Sequence, residues 1–236
     1  KDPDHPDRQN TQTSYVIPLY ADLFNDANKP LAIDHLVKAI EKTGYTITTG
    51  FIGTPYICHV LSNNGRSDVA YRLFEQSAFP SWKFPVQQGA TTIWERWNSY
   101  TKDNGFGPVD MNSFNHYSYG AIEEWIITHV LGIERDEAAP GYKHFFLAPE
   151  VGGNLSYAKG GFETVYGKIS CAWQKTPTGF TYSVTVPANT SATLTLPSPN
   201  VTVIAGAPYA RALSSSAAAT TLALPSGTYE FLVPTE

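Results

Sequence analysis

Glu95 stands in Trp94-Glu95-Arg96-Trp97, directly after Gly89-Ala90-Thr91-Thr92-Ile93, so one carboxylate lies between two tryptophans behind a run of small and hydroxyl residues. That pairing of acid and indole suits carbohydrate chemistry. Hydrolysis of a glycosidic bond takes two carboxyl groups, one to protonate the leaving oxygen and one to activate water or attack, while aromatic rings cover the apolar C–H faces of a sugar. Only one member of such a pair is evident in this stretch. Taken by itself, the tetrapeptide fits a structural or surface glutamate better than a catalytic one.

Other chemistries find less support. The six histidines, at positions 5, 35, 59, 116, 129 and 144, show no HExxH or other close ligand pairing, so no metal or other cofactor is implied. The two cysteines, Cys58 and Cys171, lie far apart with no CxxC spacing and read as buried free thiols. A net charge of −5 and the absence of any Lys/Arg run give no footprint for nucleic acid or for an anionic membrane. No apolar stretch approaches the ~20 residues that span a bilayer, and the polar opening Lys1-Asp2-Pro3-Asp4-His5-Pro6-Asp7 has no signal-peptide core, so a soluble chain is expected. Sequons at Asn154, Asn189 and Asn200 would matter only in a secreted eukaryotic product.

The elements that would position these residues change character near residue 138. With 236 residues, 42% of them hydrophobic and 13% aromatic, the chain can bury a sizeable core. Before residue 138 the period is helical. Val16, Leu19, Tyr20 and Leu23 make one stripe, and Ile33, Leu36, Val37 and Ile40 make another, with Pro30 near its start and Gly44 past its end. Helices also fit Pro55 to about Leu61 and Ser67 to about Gln76, separated by the Asn63-Asn64-Gly65 turn. Ile122, Trp125, Ile126, His129 and Val130 form the last helical stripe, on which His129, like His59 earlier, reads as a core histidine. Short loops between amphipathic helices imply helical hairpins.

Beyond residue 138 the period is two. Phe180, Tyr182, Val184 and Val186 alternate with Thr181, Ser183 and Thr185, and Ala192, Leu194 and Leu196 repeat the pattern after an expected turn at Pro187-Ala188-Asn189. Ser214 to Thr221 reads as a Ser/Ala/Thr link, and Pro225-Ser226-Gly227 as a turn into a final strand from Thr228 to Val233. Past Lys175 the charged side chains are only Arg211, Glu230 and Glu236, which suits a hydroxyl-rich β-sandwich. Its candidate exposed aromatics are few, namely Trp173, Tyr182, Tyr209 and Tyr229, so packing is favoured over sugar binding for this part.

Three further stretches accompany the Glu95 motif in order: Thr48-Thr49-Gly50-Phe51-Ile52-Gly53-Thr54-Pro55, Pro80-Ser81-Trp82, and Met111-Asn112-Ser113-Phe114-Asn115-His116-Tyr117-Ser118-Tyr119-Gly120. Together they resemble the bacterial-type α-L-rhamnosidase family of inverting glycoside hydrolases. The resemblance implies a partial (α/α)6 helical barrel over residues 1–137, followed by an all-β sandwich domain over residues 138–236. Periodicity gives roughly five or six helices, whereas a six-hairpin barrel takes about twelve, so the chain resembles the C-terminal part of a longer enzyme.

In that family pattern Glu95 matches the general base, and His116 matches a residue that contacts the sugar hydroxyls, although an arbitrary histidine more often fills a core. Trp82, with Phe51, Trp94 and Trp97, would wall the pocket around the methyl group of a 6-deoxy sugar. Gly50 and Gly53 would permit a tight loop beneath it, and Arg96 reads as structural. The implied partners are a rhamnose-containing oligosaccharide or glycoside and the upstream half of the same enzyme. The family's general acid sits in an acidic, tryptophan-containing segment, and none occurs between Lys1 and Gly50; the Asp2, Asp4 and Asp7 run reads as solvated charge. The isolated chain is therefore expected to be inactive. Pro18 departs from the family's uninterrupted helix and predicts a kink or a later helix start. Two other readings remain open at this point: a non-catalytic carbohydrate-binding or scaffold protein, and an (α/α)6 glycosidase of different sugar specificity.

Overall fold

The computed structural model describes residues 10–234, so the acidic run Asp2, Asp4 and Asp7, together with His5, lies outside the described residues. Packing divides the chain into two units, Lys1–Glu123 and Glu124–Glu236.

The first unit is helical. Helix α1 (Gln12–Tyr20) is capped by Thr11, whose hydroxyl accepts the Ser14 N–H at 3.2 Å. Pro18 neither delays this helix nor precedes it; α1 starts six residues earlier and carries the proline in its last turns. The helix then stops at Tyr20, and Asp22 turns the chain with φ of 51°. Val16 and Leu19 are therefore buried, but Tyr20 and Leu23, expected on the same stripe, are exposed. Helix α2 (Lys29–Lys42) buries Ile33, Leu36, Val37 and Ile40, starts with Pro30 in its first turn and is followed by Gly44 at φ of 67°.

Helices α3 (Thr54–Asn63) and α4 (Ser67–Glu75) pack on each other across the Asn64-Gly65 turn, and α1 packs on both α2 and α3. A six-residue helix, α5 (Lys83–Gln88), is not evident from periodicity because Pro85 lies inside it and its only buried residue is that proline. Gln12 ties the bundle to the loop that follows α2. Its buried amide donates to the Thr46 carbonyl at 2.9 Å and accepts the Thr48 N–H at 2.9 Å, which satisfies both ends of a polar group that would otherwise be costly to bury.

The division falls inside α6 (Ile122–Trp125), which widens into a π-helical turn over Ile126–Val130; the Leu131 N–H reaches back to the Ile126 carbonyl at 2.9 Å. His129 Nδ1 pairs with Glu150 Oε1 at 2.7 Å. Strands β3 (Ile133–Arg135), β4 (His144–Leu147), β5 (Tyr157–Thr164), β6 (Gly167–Thr176), β7 (Gly179–Leu196), β8 (Thr202–Ala205), β9 (Arg211–Ser215) and β10 (Thr220–Pro234) follow; β1 (Tyr100–Thr101) and β2 (Gly105–Phe106) form a small hairpin in the first unit.

β7 and β10 are long and pair antiparallel along their whole length, with a register break between Pro225 and Gly227. One half of the pair carries β6 and β5 on one side and β8 on the other. The opposite half carries β4 and β3 on one side and β9 on the other, with β4 parallel to β7. Two layers of a β-sandwich thus share the same two central strands, which bend between them.

Two expectations change here. Pro187-Ala188-Asn189 does not make a hairpin turn, because β7 runs on through it; Asn189 takes φ of 62° and the strand bends instead. Pro225-Ser226-Gly227 is the matching bend in β10, so the final strand starts at Thr220 rather than Thr228. Of the aromatics considered for exposure, Trp173, Tyr182 and Tyr229 are buried and only Tyr209 is exposed. Trp173 donates its indole N–H to the Val130 carbonyl at 2.7 Å, and the Tyr182 hydroxyl donates to the Leu131 carbonyl at 3.1 Å. On the other face, threonines meet across the β7–β10 pair, Thr185 with Thr228 and Thr195 with Thr221. Both cysteines are free and buried, and burial pushes the Cys58 thiol up and the Cys171 thiol up to about 12.

Candidate active site

Glu95 lies in an irregular loop between α5 and the short hairpin of β1 (Tyr100–Thr101) and β2 (Gly105–Phe106). Gly89 ends α5 in the left-handed region, at φ of 100°, and lets the chain turn into the segment that carries the acid. That segment runs beside residues 113–116. The Glu95 N–H donates to the Ser113 carbonyl at 2.9 Å, the His116 N–H donates to the Ile93 carbonyl at 2.9 Å, and the Thr92 hydroxyl donates to the Phe114 carbonyl at 2.5 Å. The pairing is returned by a side chain, because the Ser113 N–H donates to Glu95 Oε2 at 2.8 Å. The half-buried side chain is thus held at one carboxyl oxygen by a backbone N–H.

The flanking tryptophans brace this carboxylate from two different clusters. Trp94 packs edge-on against Phe114, with ring centroids 5.3 Å apart, and Phe114 packs in turn on Phe106. Trp97 stacks face to face on Tyr119, with centroids 3.8 Å apart and planes 9° from parallel, and meets Trp82 edge-on at 5.8 Å. Trp94 and Trp97 are both buried, whereas Trp82, at the start of α5, is half-buried and donates its indole N–H to the Tyr119 carbonyl at 2.9 Å. Trp82 therefore has its ring to offer a ligand, its one polar atom being spent on the Tyr119 backbone.

His116 is placed by the same loop. Its Nδ1 accepts the Ser118 N–H at 3.4 Å, an arrangement that suits the tautomer with its proton on Nε2. Its ring stacks on Phe51, with centroids 4.6 Å apart and planes 16° from parallel. Phe51 is presented by the loop before α3, which is locked by the Thr49 and Thr54 hydroxyls 2.8 Å apart and by Thr54 donating to the Gly50 carbonyl at 2.9 Å. Gly53 suits a close approach there, since a Cβ would come 3.0 Å from the Thr13 and Thr49 side chains; Gly50 faces open space.

Glu95, His116, Trp82 and Phe51 are joined through a residue that sequence reasoning did not single out. Tyr119 stacks on Trp97, lies 5.2 Å from Phe51 and supplies the carbonyl that holds Trp82. Burial first, and then the nearby Glu95 charge, push its phenol above its ordinary range. Ser113 was missed as well, because its contribution is a backbone N–H that no residue type announces. Arg96 uses its own backbone to close a turn with Ser99. Among the described residues, no group of three or more His, Cys, Asp or Glu side chains is placed to hold a metal ion, and no helix is long and apolar enough to cross a membrane.

A carboxylate, an imidazole and several aromatic rings thus gather on loops of a helical unit. The sequence model of the bacterial alpha-L-rhamnosidase 6 hairpin glycosidase domain matches residues 6–130, and that of the bacterial alpha-L-rhamnosidase C-terminal domain matches residues 132–210. The chain belongs to the bacterial α-L-rhamnosidase six-hairpin glycosidase family.

It is 42% identical over 187 residues to an alpha-L-rhamnosidase of Streptomyces avermitilis, covering 79% of this chain and 18% of that protein. It is also 42% identical over 190 residues to an alpha-L-rhamnosidase of Formosa agariphila, covering 80% of this chain and 20% of the relative. The chain thus spans about a fifth of the length of these curated relatives. Among solved structures, the S. avermitilis alpha-L-rhamnosidase complexed with L-rhamnose superposes with a TM-score of 0.85 at 36% identity, covering 94% of this chain and 21% of that one. The alpha-L-rhamnosidase from Dictyoglumus thermophilum gives a TM-score of 0.80 at 28% identity, covering 95% and 25%.

Proposed function

We propose that the protein to which this chain belongs hydrolyses terminal α-L-rhamnosyl residues from rhamnosides with inversion, and that this chain supplies the general base, Glu95. The observation that carries the reading is the fixed half of the Glu95 carboxylate: Ser113 holds Oε2, so the other oxygen is aimed rather than free to rotate. In an inverting mechanism that oxygen takes a proton from water as the water attacks the anomeric carbon. A second carboxyl group, about 6.5–9.5 Å from the first, protonates the leaving oxygen on the opposite side. That acid is assigned to the part of the enzyme upstream of this chain, whose helices would complete an (α/α)6 barrel with those described here. His116 meets sugar hydroxyls through Nε2, and Trp82, with Phe51, walls the rhamnose methyl group.

The test is hydrolysis of an aryl α-L-rhamnoside by the full-length protein, with the anomer first released read by NMR. Glu95→Gln keeps the shape and removes the base, and turnover should fall by at least about a thousandfold with unchanged folding. Retained turnover would remove Glu95 from the mechanism. Preference for glucosides, fucosides or mannosides over rhamnosides would instead assign the same site to another sugar.

A further inference from the structure

We propose that the outward face of strands β5, β6, β7 and β10 binds an acidic saccharide, a sugar chain bearing ring carboxylates, through Lys159 and Lys168 above a hydroxyl-lined floor. This site belongs to the β unit and does not rest on the reading of Glu95. Strand register sets Gly161, Ser170, Thr185 and Thr228 side by side in one row, and Lys159, Ala172, Ser183 and Glu230 in the next. Alternation turns both rows to the face opposite the buried Ile169, Cys171, Trp173 and Val184. Because most side chains in the two rows are small or absent, an open depression of about 470 Å³ lies over them. Its Thr185 and Thr228 hydroxyls lie 3.3 Å apart, and those of Ser170 and Ser183 have no protein partner among the described residues, so they are available to sugar hydroxyls.

Charge selects the ligand further. The charged side chains that line the depression are two lysines, in a chain whose net charge is −5. The other two lysines of the unit are spent on backbone carbonyls, Lys143 on Asn189 and Lys175 on Gly152 and Gly153. Lys159 has no partner among the described residues, and Lys168 approaches Glu163 only to 3.6 Å, with both of those side chains more than half exposed. Gly161 gives Lys168 its path: a Cβ there would come 2.9 Å from Lys168 Cε, so the lysine stem crosses the bare glycine. Glu230, the carboxylate of the second row, is three strands from Lys159, about 14 Å at the usual strand spacing. Tyr157 makes the ligand a sugar rather than a simple anion. It precedes Lys159 by two residues on β5, hence on the same face, and is 59% exposed. A ring open to solvent about 7 Å along the strand from an unpaired amine offers a sugar both a stacking surface and a partner for its carboxylate.

The experiment titrates the full-length protein with a galacturonate tetrasaccharide and with its uncharged methyl ester, following binding by calorimetry at low and high salt. The acid is expected to bind at least about fivefold more tightly than the ester, with the difference shrinking as salt rises. Lys159→Ala combined with Lys168→Ala should bring the acid down to the ester, and Tyr157→Ala should weaken both ligands, while Tm and turnover of an aryl α-L-rhamnoside stay as in the parent. No binding of the acid by the parent, equal binding of acid and ester, or an affinity that the double lysine variant leaves unchanged overturns the assignment. Polyaspartate bound as tightly as the saccharide, or indifference to Tyr157→Ala, overturns it as well, since a mere patch of positive charge would behave in that way.

Discussion

Replacing Tyr182 with phenylalanine removes one oxygen from the interior of the β unit and leaves the ring that fills the space. Tyr182 is fully buried; its hydroxyl donates to the Leu131 carbonyl at 3.1 Å and lies 3.3 Å from Cys171 Sγ. Loss of the hydroxyl strips a buried carbonyl of that donor, which costs about 1–3 kcal/mol at neutral pH. Alkali should reverse the ranking. Burial, and then the Cys171 sulfur, hold the Tyr182 phenol well above its ordinary value of 10.0, so above that pH an unfolded tyrosine releases a proton that the folded one keeps. A group whose folded pKa is raised contributes stability below the unfolded value and loses it as pH climbs, at about 1.4 kcal/mol per unit.

Phenylalanine has no proton to lose, so the deficit of Tyr182→Phe should be constant from pH 7 to 9, shrink above pH 10, and vanish near about pH 11 to 12. Cys171, itself pushed up to about 12, weakens both proteins from its ordinary value of 9.0 upward and largely cancels in the difference. Pulse labelling of the Cys171 thiol in a urea series, read by mass spectrometry of its peptide, follows this unit without interference from Cys58. A gap between the two proteins that stays constant from pH 8 to 11, or no gap at pH 7, would refute the reasoning.

Two other substitutions have defined outcomes. His116→Ala in the full-length protein removes the imidazole proposed to meet the sugar, and kcat/KM on an aryl α-L-rhamnoside should fall by about 10- to 100-fold, as for one lost hydrogen bond to substrate; an unchanged value takes His116 out of the site. Gly132→Ala should destabilise the protein by about 3 kcal/mol or more, because φ is 79° and a Cβ would lie 2.3 Å from the Pro149 nitrogen, which is backbone and cannot swing aside. A thermal unfolding midpoint matching the parent's would show that the chain relaxes there at no cost.

The sequence made the helical stripes legible where packing is one-sided, as on α2, whose Ile33, Leu36, Val37 and Ile40 all face inward. It misled at Leu23, which lies past the end of α1, and at Tyr20, the last residue of that helix, whose side chain is exposed. Short α5 carries too little pattern to announce itself. The division of packing at Glu123 and Glu124 lies upstream of the change from helical to β periodicity, because Val130 and His129 at the end of the last helix bond to Trp173 and Glu150. In the β unit, Pro187 and Gly227 read as turn residues, and distinguishing a turn from a bend needs knowledge of which strand pairs across it. At the candidate site the motif exposed Glu95, Trp82 and His116, whereas Ser113 and Tyr119 act through a backbone N–H and through stacking, for which residue type carries little signal.

The bent pair β7–β10 has a consequence for the order in which this unit can be assembled during synthesis. β10 is the last of the described strands to leave the ribosome, and it is a central strand of both layers, pairing with β7 along its length and with β8 and β9 at either end. Until it emerges, β8 and β9 lack the strand they pair with, and one whole edge of β7 stays open. A nascent or truncated chain ending near residue 210, where the family's C-terminal domain match stops, would present that open edge to any neighbouring strand. Aggregation of such a truncation, rather than a smaller folded domain, is the behaviour that this topology dictates.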